Sequence, residues 1–202
     1  MELDLGKAGR RSYDQREGKV KAVPAVFGID PGASGAVAVY DGEKLDLLAF
    51  ESDDTKTRGS KTDYKQVVGF IEVNVLTYGK YMAAYIEDVH AMPKQGVSST
   101  FKFGYNAGAV YGICASFLED LPKLVLPTLW KPRLGLGNDK KNSIARAVEL
   151  FPDAKPYFYG PRGGERDGPA EASLLAWYGW HTEQGDIEFL LDGLRKKHSR
   201  VK

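Results

Sequence analysis

Cysteine is almost missing from this chain: Cys114 is the single thiol in 202 residues. An intrachain disulfide and a cysteine-based zinc cluster are both excluded, and Cys114 is expected to serve as a small buried apolar residue. Histidine is scarce too, and His90, His181 and His198 lack the spacing of shared metal ligands. His181 and His198 are expected at the surface, while His90, three residues past Glu87, could support that side chain. No run approaches the roughly eighteen apolar residues that a membrane span requires. The first twenty-one residues are polar, with four acids, and lack both the apolar core of a signal peptide and the acid-poor character of a transit peptide. A cytoplasmic location is the default expectation.

What is present suits one globular domain: 43% hydrophobic and 27% charged residues can bury a full core and still solvate its surface. The net charge of +1 hides an asymmetry. Residues 41–88 hold ten acids against six Lys/Arg, residues 91–146 hold eight Lys/Arg against three acids, and the last ten residues hold five Lys/Arg and no acid. Basic segments beside acidic ones fit a polyanionic substrate, although any single lysine more simply solvates the surface.

Residues 1–22 show no periodicity and are expected to form a flexible arm, with the domain over 23–184 and a basic helix or tail over 185–202. Strands are expected at Ala25–Asp30 and Ala36–Tyr40, joined through Pro31-Gly32-Ala33-Ser34-Gly35, and at Lys44–Phe50 after the Asp41-Gly42 turn. Ser60-Lys61-Thr62-Asp63 resembles a capping box opening a helix to about Thr77. A strand at Met82–Glu87, a long loop over Ala91–Phe103, a helix at Gly104–Leu118 and a strand at Lys123–Leu126 follow. Asn138 can cap a helix to Leu150, and Pro169 suits the first turn of another reaching about Thr182. A meander followed by alternating units predicts an α/β fold, a mixed sheet covered by helices.

Four acids in three separated segments carry the chemistry. Asp30 ends the apolar run Val26-Phe27-Gly28-Ile29, Glu87 ends Tyr81–Ile86, and Asp167 and Glu171 flank the start of an apolar helix. Carboxylates at strand ends and a helix start can converge, and such a cluster is costly unless a cation neutralises it. Hard oxygen ligands suit Mg²⁺ or Mn²⁺, which points to metal-assisted chemistry on a phosphodiester. Each acid also has a plainer role: Asp30 as a turn residue, Asp167 as a helix cap, and Glu171 as a first-turn glutamate favoured by the helix dipole. Strand alternation sends Glu87 and Asp88 to opposite sides, so one of the two faces the cluster.

Phe27-Gly28-Ile29-Asp30-Pro31-Gly32 resembles the first motif of the RuvC-like Holliday junction resolvases, and Tyr85-Ile86-Glu87 resembles the second. The run from Pro93 to Gly104 looks like the loop that follows it, as bacteriophage members write it. Asp167-Gly168-Pro169-Ala170-Glu171-Ala172 resembles the last motif, in the D/H-G-x-A-E-A form of the phage and chloroplast branches. Bacterial members commonly space the last two acids three apart, both as aspartate; here they are four apart. The resemblance spans about Ala25 to Gly179.

It implies a ribonuclease H-like mixed five-stranded sheet flanked by helices, and a Mg²⁺-dependent endodeoxyribonuclease of phage type, working in a bacterial or phage-infected cytoplasm. Asp30, Glu87, Asp167 and Glu171 would bind two Mg²⁺, with Mn²⁺ as a substitute, for two-metal hydrolysis; Glu87 rather than Asp88 occupies the family position. A homodimer would cut paired strands of a four-way junction with near two-fold symmetry, without a nucleotide cofactor or a membrane. Gly104, Gly108 and Gly112, four apart on one helix, mark either packing on the sheet or a subunit contact.

Lys94, Ser98, Lys102, Lys131, Arg133, Lys140, Lys141, Arg162 and Arg166 are candidates to meet DNA. Lys131 and Lys140 could alternatively aid the attacking water, as similar lysines recur in the family. Phe101 and Phe103 either wedge against bases at the branch point or anchor their loop to the core. Three other readings stay open: a nuclease for flaps or forks, an inactive junction-binding module, and an actin-like ATPase or kinase. The last has the loop Asp30–Ala36 in its favour and the lack of a second such loop against it.

Overall fold

Val26–Asp30 (β1) and Ala36–Tyr40 (β2) form the expected hairpin, paired antiparallel from Val26↔Tyr40 to Asp30↔Ala36. Its turn closes with the Gly35 N–H donating to the Gly32 carbonyl at 3.0 Å. A Cβ on Gly35 would stand 2.0 Å from the Asp30 carbonyl, so this approach needs glycine. The structure, a computed structural model, describes residues 23–50, 62–88, 96–137, 140–160 and 162–186, with backbone alone at 140 and 141. The arm over 1–22, Ser60 and Lys61 of the expected capping box, His90, Lys94, Asn138 and the tail beyond 186, with His198, lie outside the described residues.

Leu45–Ala49 (β3) extends the meander antiparallel to β2. Helix α1 (Tyr64–Tyr78) starts on Asp63, whose side chain accepts from the N–H groups of Lys65 and Gln66. Ala83–Glu87 (β4) pairs parallel to β1, and after α2 (Val97–Phe117) the short Lys123–Val125 (β5) pairs parallel to β4. The sheet order is β3-β2-β1-β4-β5, the mixed five-stranded sheet read from the sequence. Then come α3 (Pro127–Trp130), a 3₁₀ turn at Lys131–Leu134, α4 (Lys140–Leu150), a 3₁₀ turn at Pro152–Ala154, α5 (Lys155–Phe158) and α6 (Asp167–Gln184).

Strand alternation divides the core in two. Phe27, Ile29, Val37, Val39 and Ile86 pack on Val67 and Ile71 of α1 and Val110 and Cys114 of α2. Val26, Ala36, Ala38, Tyr40 and Tyr85 face the other way, against α6 and the segment holding Trp130 and Phe158. Between them Gly28 lets α6 lie directly on β1, since a Cβ there would be 2.0 Å from the Ala176 nitrogen.

Several expectations are corrected. Residues Val97 to Phe103 are helical rather than loop, because the Ser99 and Thr100 N–H groups both bond the Gly96 carbonyl and start α2 early. Helix α6 begins at Asp167 with Arg166 at the cap position, so Asp167 is a first-turn residue and not a cap. Gly104, Gly108 and Gly112 do not pack on the sheet: among the described residues, a Cβ on any of them would meet no atom within 4 Å beyond its own stretch of helix. The stripe of α2 that faces inward is Asn106, Val110 and Cys114. His181 is half-buried against Trp177 and Trp180, with its Nδ1 2.7 Å from Asp186 Oδ2, rather than freely exposed. The short helical segments at Pro127–Trp130, Lys131–Leu134, Pro152–Ala154 and Lys155–Phe158 are three or four residues long, too short to leave a helical period in the sequence.

Candidate active site

Parallel pairing and alternation bring Asp30 and Glu87 together. Ile29 and Ile86 are register partners, and the acids follow one residue later on each strand. Both lie in phase with Gly28 and Tyr85, on the face covered by α6. Helix α6 then lays Asp167 and Glu171, one turn apart, over the strand ends. Its start is held against the β1–β2 turn: a Cβ on Gly168 would stand 2.1 Å from the Ser34 carbonyl. Glu87 and Glu171 are buried, while Asp30, Asp167 and Asp88 are half-buried.

Lys131 enters the same cluster. Its ammonium donates to Glu171 Oε1 at 2.7 Å and lies 3.4 Å from Glu87 Oε1. The second contact is an ion pair without hydrogen-bond geometry, so that buried oxygen has no hydrogen-bond donor among the described residues. The fully buried Trp130 ring supports the lysine from 5.2 Å, a cation–π distance. Ser143 of α4, itself buried, donates its hydroxyl to Glu171 Oε1 at 3.1 Å. Asp30 Oδ1 accepts the Gly32 N–H at 2.8 Å, so its turn role and its place in the cluster coexist.

The electrostatics follow from crowding. Burial, then the Glu171 and Asp167 charges, raise Asp30 from 3.8 to about 6, against the Gly32 hydrogen bond and Lys131. Burial, Glu171 and Asp30 raise Glu87 from 4.5 to about 7, with Lys131 opposing. Burial works against the Lys131 ammonium, but Glu171 and Glu87 more than offset it and raise its pKa. These are carboxylates that gain from added positive charge.

Among the described residues, no group of three or more His, Cys, Asp or Glu closes to metal-ligand geometry. The donor set nevertheless fits a hard divalent cation: four carboxylates that sense one another and one buried oxygen without a donor.

The DNA-contact candidates scatter around this centre. Phe101, Lys102 and Ser98 are exposed on the first turns of α2, and Phe103 is half-buried beside them. Exposure of 73% excludes Phe101 as a core anchor. Arg133 and Arg166 are half-buried and Arg162 is exposed, whereas Lys131 is engaged with the acids rather than presented to solvent. Lys140 and Lys141 open α4. Sequence reasoning missed Ser143 and Asn106. Asn106 was detectable as the polar member of the Asn106–Val110–Cys114 spacing, but Ser143 carried no comparable signal.

No family model and no curated protein matches the chain. Solved structures do. Thermus thermophilus RuvC in complex with a Holliday junction substrate superposes with a TM-score of 0.51 at 14% identity, covering 80% of this chain and 96% of that one. A second Thermus thermophilus RuvC structure covers the same shares at 19% identity and a TM-score of 0.46. The yeast mitochondrial Holliday junction resolvase Ydc2 covers 88% of this chain and 84% of its own, at 10% identity and a TM-score of 0.38. The chain therefore has the fold of RuvC, the ribonuclease H-like α/β architecture that its motifs led us to expect.

Proposed function

We propose that this protein is a metal-dependent, structure-selective endodeoxyribonuclease that resolves four-way DNA junctions. The observation that carries the reading is the convergence of Asp30, Glu87, Asp167 and Glu171 at the carboxyl ends of β1 and β4. The RuvC fold and the fact that its junction-bound form superposes on this chain support the substrate class.

Asp30, Glu87, Asp167 and Glu171 would hold Mg²⁺, or Mn²⁺ in its place. When bound, a pair of such ions supplies an activated water and charge stabilisation for the leaving 3′-oxygen. The chain's own residues prepare for this. Gly32 orients the Asp30 carboxylate, Ser143 and Lys131 fix that of Glu171, and burial keeps Glu87 poorly hydrated. Lys131 offsets the carboxylates' mutual repulsion and stands within the cluster, where it can meet a phosphate oxygen. Phe101 and Lys102 on the exposed start of α2 would engage the branch point and its backbone. The open glycine face of α2 is our candidate surface for a homodimer cutting two strands. The phage type is our reading from the Pro93–Gly104 run together with the Asp167–Ala172 motif, whose form the chloroplast branch shares.

The test is cleavage of an immobile four-way junction and of a linear duplex of the same sequence, with Mg²⁺ and with EDTA, for wild type and Asp30→Asn. Paired symmetric nicks confined to the junction, absent with EDTA and in the variant, are expected. Cleavage of flaps or forks alone would change the substrate; cleavage untouched by EDTA would overturn the metal site.

A further inference from the structure

Asn106 is the polar member of an otherwise apolar stripe. Its neighbours at helical spacing, Val110 and Cys114, are fully buried in the core beneath the sheet. An apolar residue at 106 would gain from burial there, whereas an amide is costly unless its hydrogen bonds are made. Asn106 makes them at both ends of its amide. Its Nδ2 donates to the Pro31 carbonyl at 2.6 Å and reaches the Gly32 carbonyl at 3.4 Å. Its Oδ1 accepts the Tyr64 hydroxyl at 2.7 Å, while the two turn carbonyls, which only accept, require the amide nitrogen on their side. Tyr64 is half-buried and packs edge-on against Tyr105 of α2 at 6.2 Å.

The clamped residues are the two that follow Asp30, and the Gly32 N–H holds Asp30 Oδ1. The other side of the turn is closed by Gly168 of α6, which meets the Ser34 carbonyl. The turn is thus gripped from both faces of the sheet, by α2 below and α6 above.

We propose that Asn106, braced by Tyr64, is a positioning residue that holds the Pro31–Gly32 turn so that the Gly32 N–H presents the Asp30 carboxylate to a divalent cation. This rests on the metal-site reading above. A partner of a metal ligand that acts from outside the coordination sphere shifts metal affinity or activity by about 10–100-fold when removed, and Asn106, one step further out, is expected at the lower end.

The experiment is Mn²⁺ binding by isothermal titration calorimetry on the DNA-free full chain, with single-turnover junction cleavage across Mn²⁺ concentrations. The variants are Asn106→Leu, Tyr64→Phe and Asp30→Asn. Asn106→Leu is expected to weaken Mn²⁺ binding about 10-fold and to regain cleavage at high Mn²⁺. Junction affinity in EDTA should stay at the wild-type value. Tyr64→Phe, which keeps the ring and removes the hydroxyl that braces the amide oxygen, is expected to show a smaller loss in the same direction. If Asn106→Leu does not fold, Tyr64→Phe carries the test alone. A folded variant with lowered Tm but wild-type Mn²⁺ binding, beside an Asp30→Asn control that has lost it, overturns the role of Asn106 only. Wild-type Mn²⁺ binding in Asp30→Asn itself overturns the metal reading and this role with it.

Discussion

Lys131 Nζ and Glu171 Oε1 stand 2.7 Å apart where a 3₁₀ turn meets the first turns of α6. The pair sets an ammonium against a glutamate on a helix whose neighbouring residues, Ala170, Ala172 and Ser173, are fully buried. Lys131→Met would leave Glu87 and Glu171 facing each other without it. We expect a stability loss in EDTA on the order of 2 kcal/mol, below the roughly 3–5 kcal/mol of a fully buried pair because Lys131 keeps some solvent contact. Mg²⁺ should restore most of it. Thermal melts with EDTA and with Mg²⁺ check this, and an unchanged Tm in EDTA would contradict it.

The raised acids set a pH dependence. Folding lifts Asp30 from 3.8 to about 6 and Glu87 from 4.5 to about 7. The cation-free folded state therefore holds protons that the unfolded chain has released, so these two groups lower stability as pH rises from about 4 to about 7. A divalent cation favours the ionised forms. The Mg²⁺-induced rise in Tm is expected to be larger near pH 8 than near pH 5, since protons compete at the lower pH. Equal shifts at both would remove these carboxylates from the cation site.

The glycine face of α2 offers a test of assembly. Among the described residues beyond its own stretch of helix, nothing lies within 4 Å of a Cβ built on Gly108, and arginine is a better helix former than glycine, so Gly108→Arg should fold. If two copies meet on this face, the variant sediments as a monomer under conditions where the wild type is a dimer. A variant that dimerises like the wild type excludes the face.

Phe101 and Lys102 are exposed and clear of the core, so their substitution should move stability by no more than about 0.5 kcal/mol. Lys102→Gln is expected to weaken junction binding and to reduce the slope of log K against log salt by about 0.9 for each phosphate that is no longer neutralised. Phe101→Ala should weaken junction binding more than duplex binding, because only the branch point offers unstacked bases. An unchanged salt slope would remove Lys102 from the DNA path, and equal losses on both DNAs would remove the wedge.

The strands and the acids were legible in the sequence because their causes are local. Val26–Asp30 and Ala83–Glu87 are short apolar runs that end in a carboxylate, and the period of two assigns each residue a face without knowledge of its partner. The turn after Asp30 and the Asp167–Glu171 spacing are likewise near-neighbour features. Which residues meet those acids is another matter. Lys131 lies 40 positions from Glu171, Ser143 lies 28 away, and Asn106 reaches back 75 residues to Pro31. Such contacts exist only once α2, α4 and α6 have packed on the sheet. Lys131, a candidate to meet DNA or aid the attacking water, stands as the counter-charge of a carboxylate cluster, and Asn106 clamps a turn. A side chain's charge and hydrogen-bonding capacity are written in the sequence. Its partner is decided by burial, because a buried charge or amide must find one wherever the packing puts it.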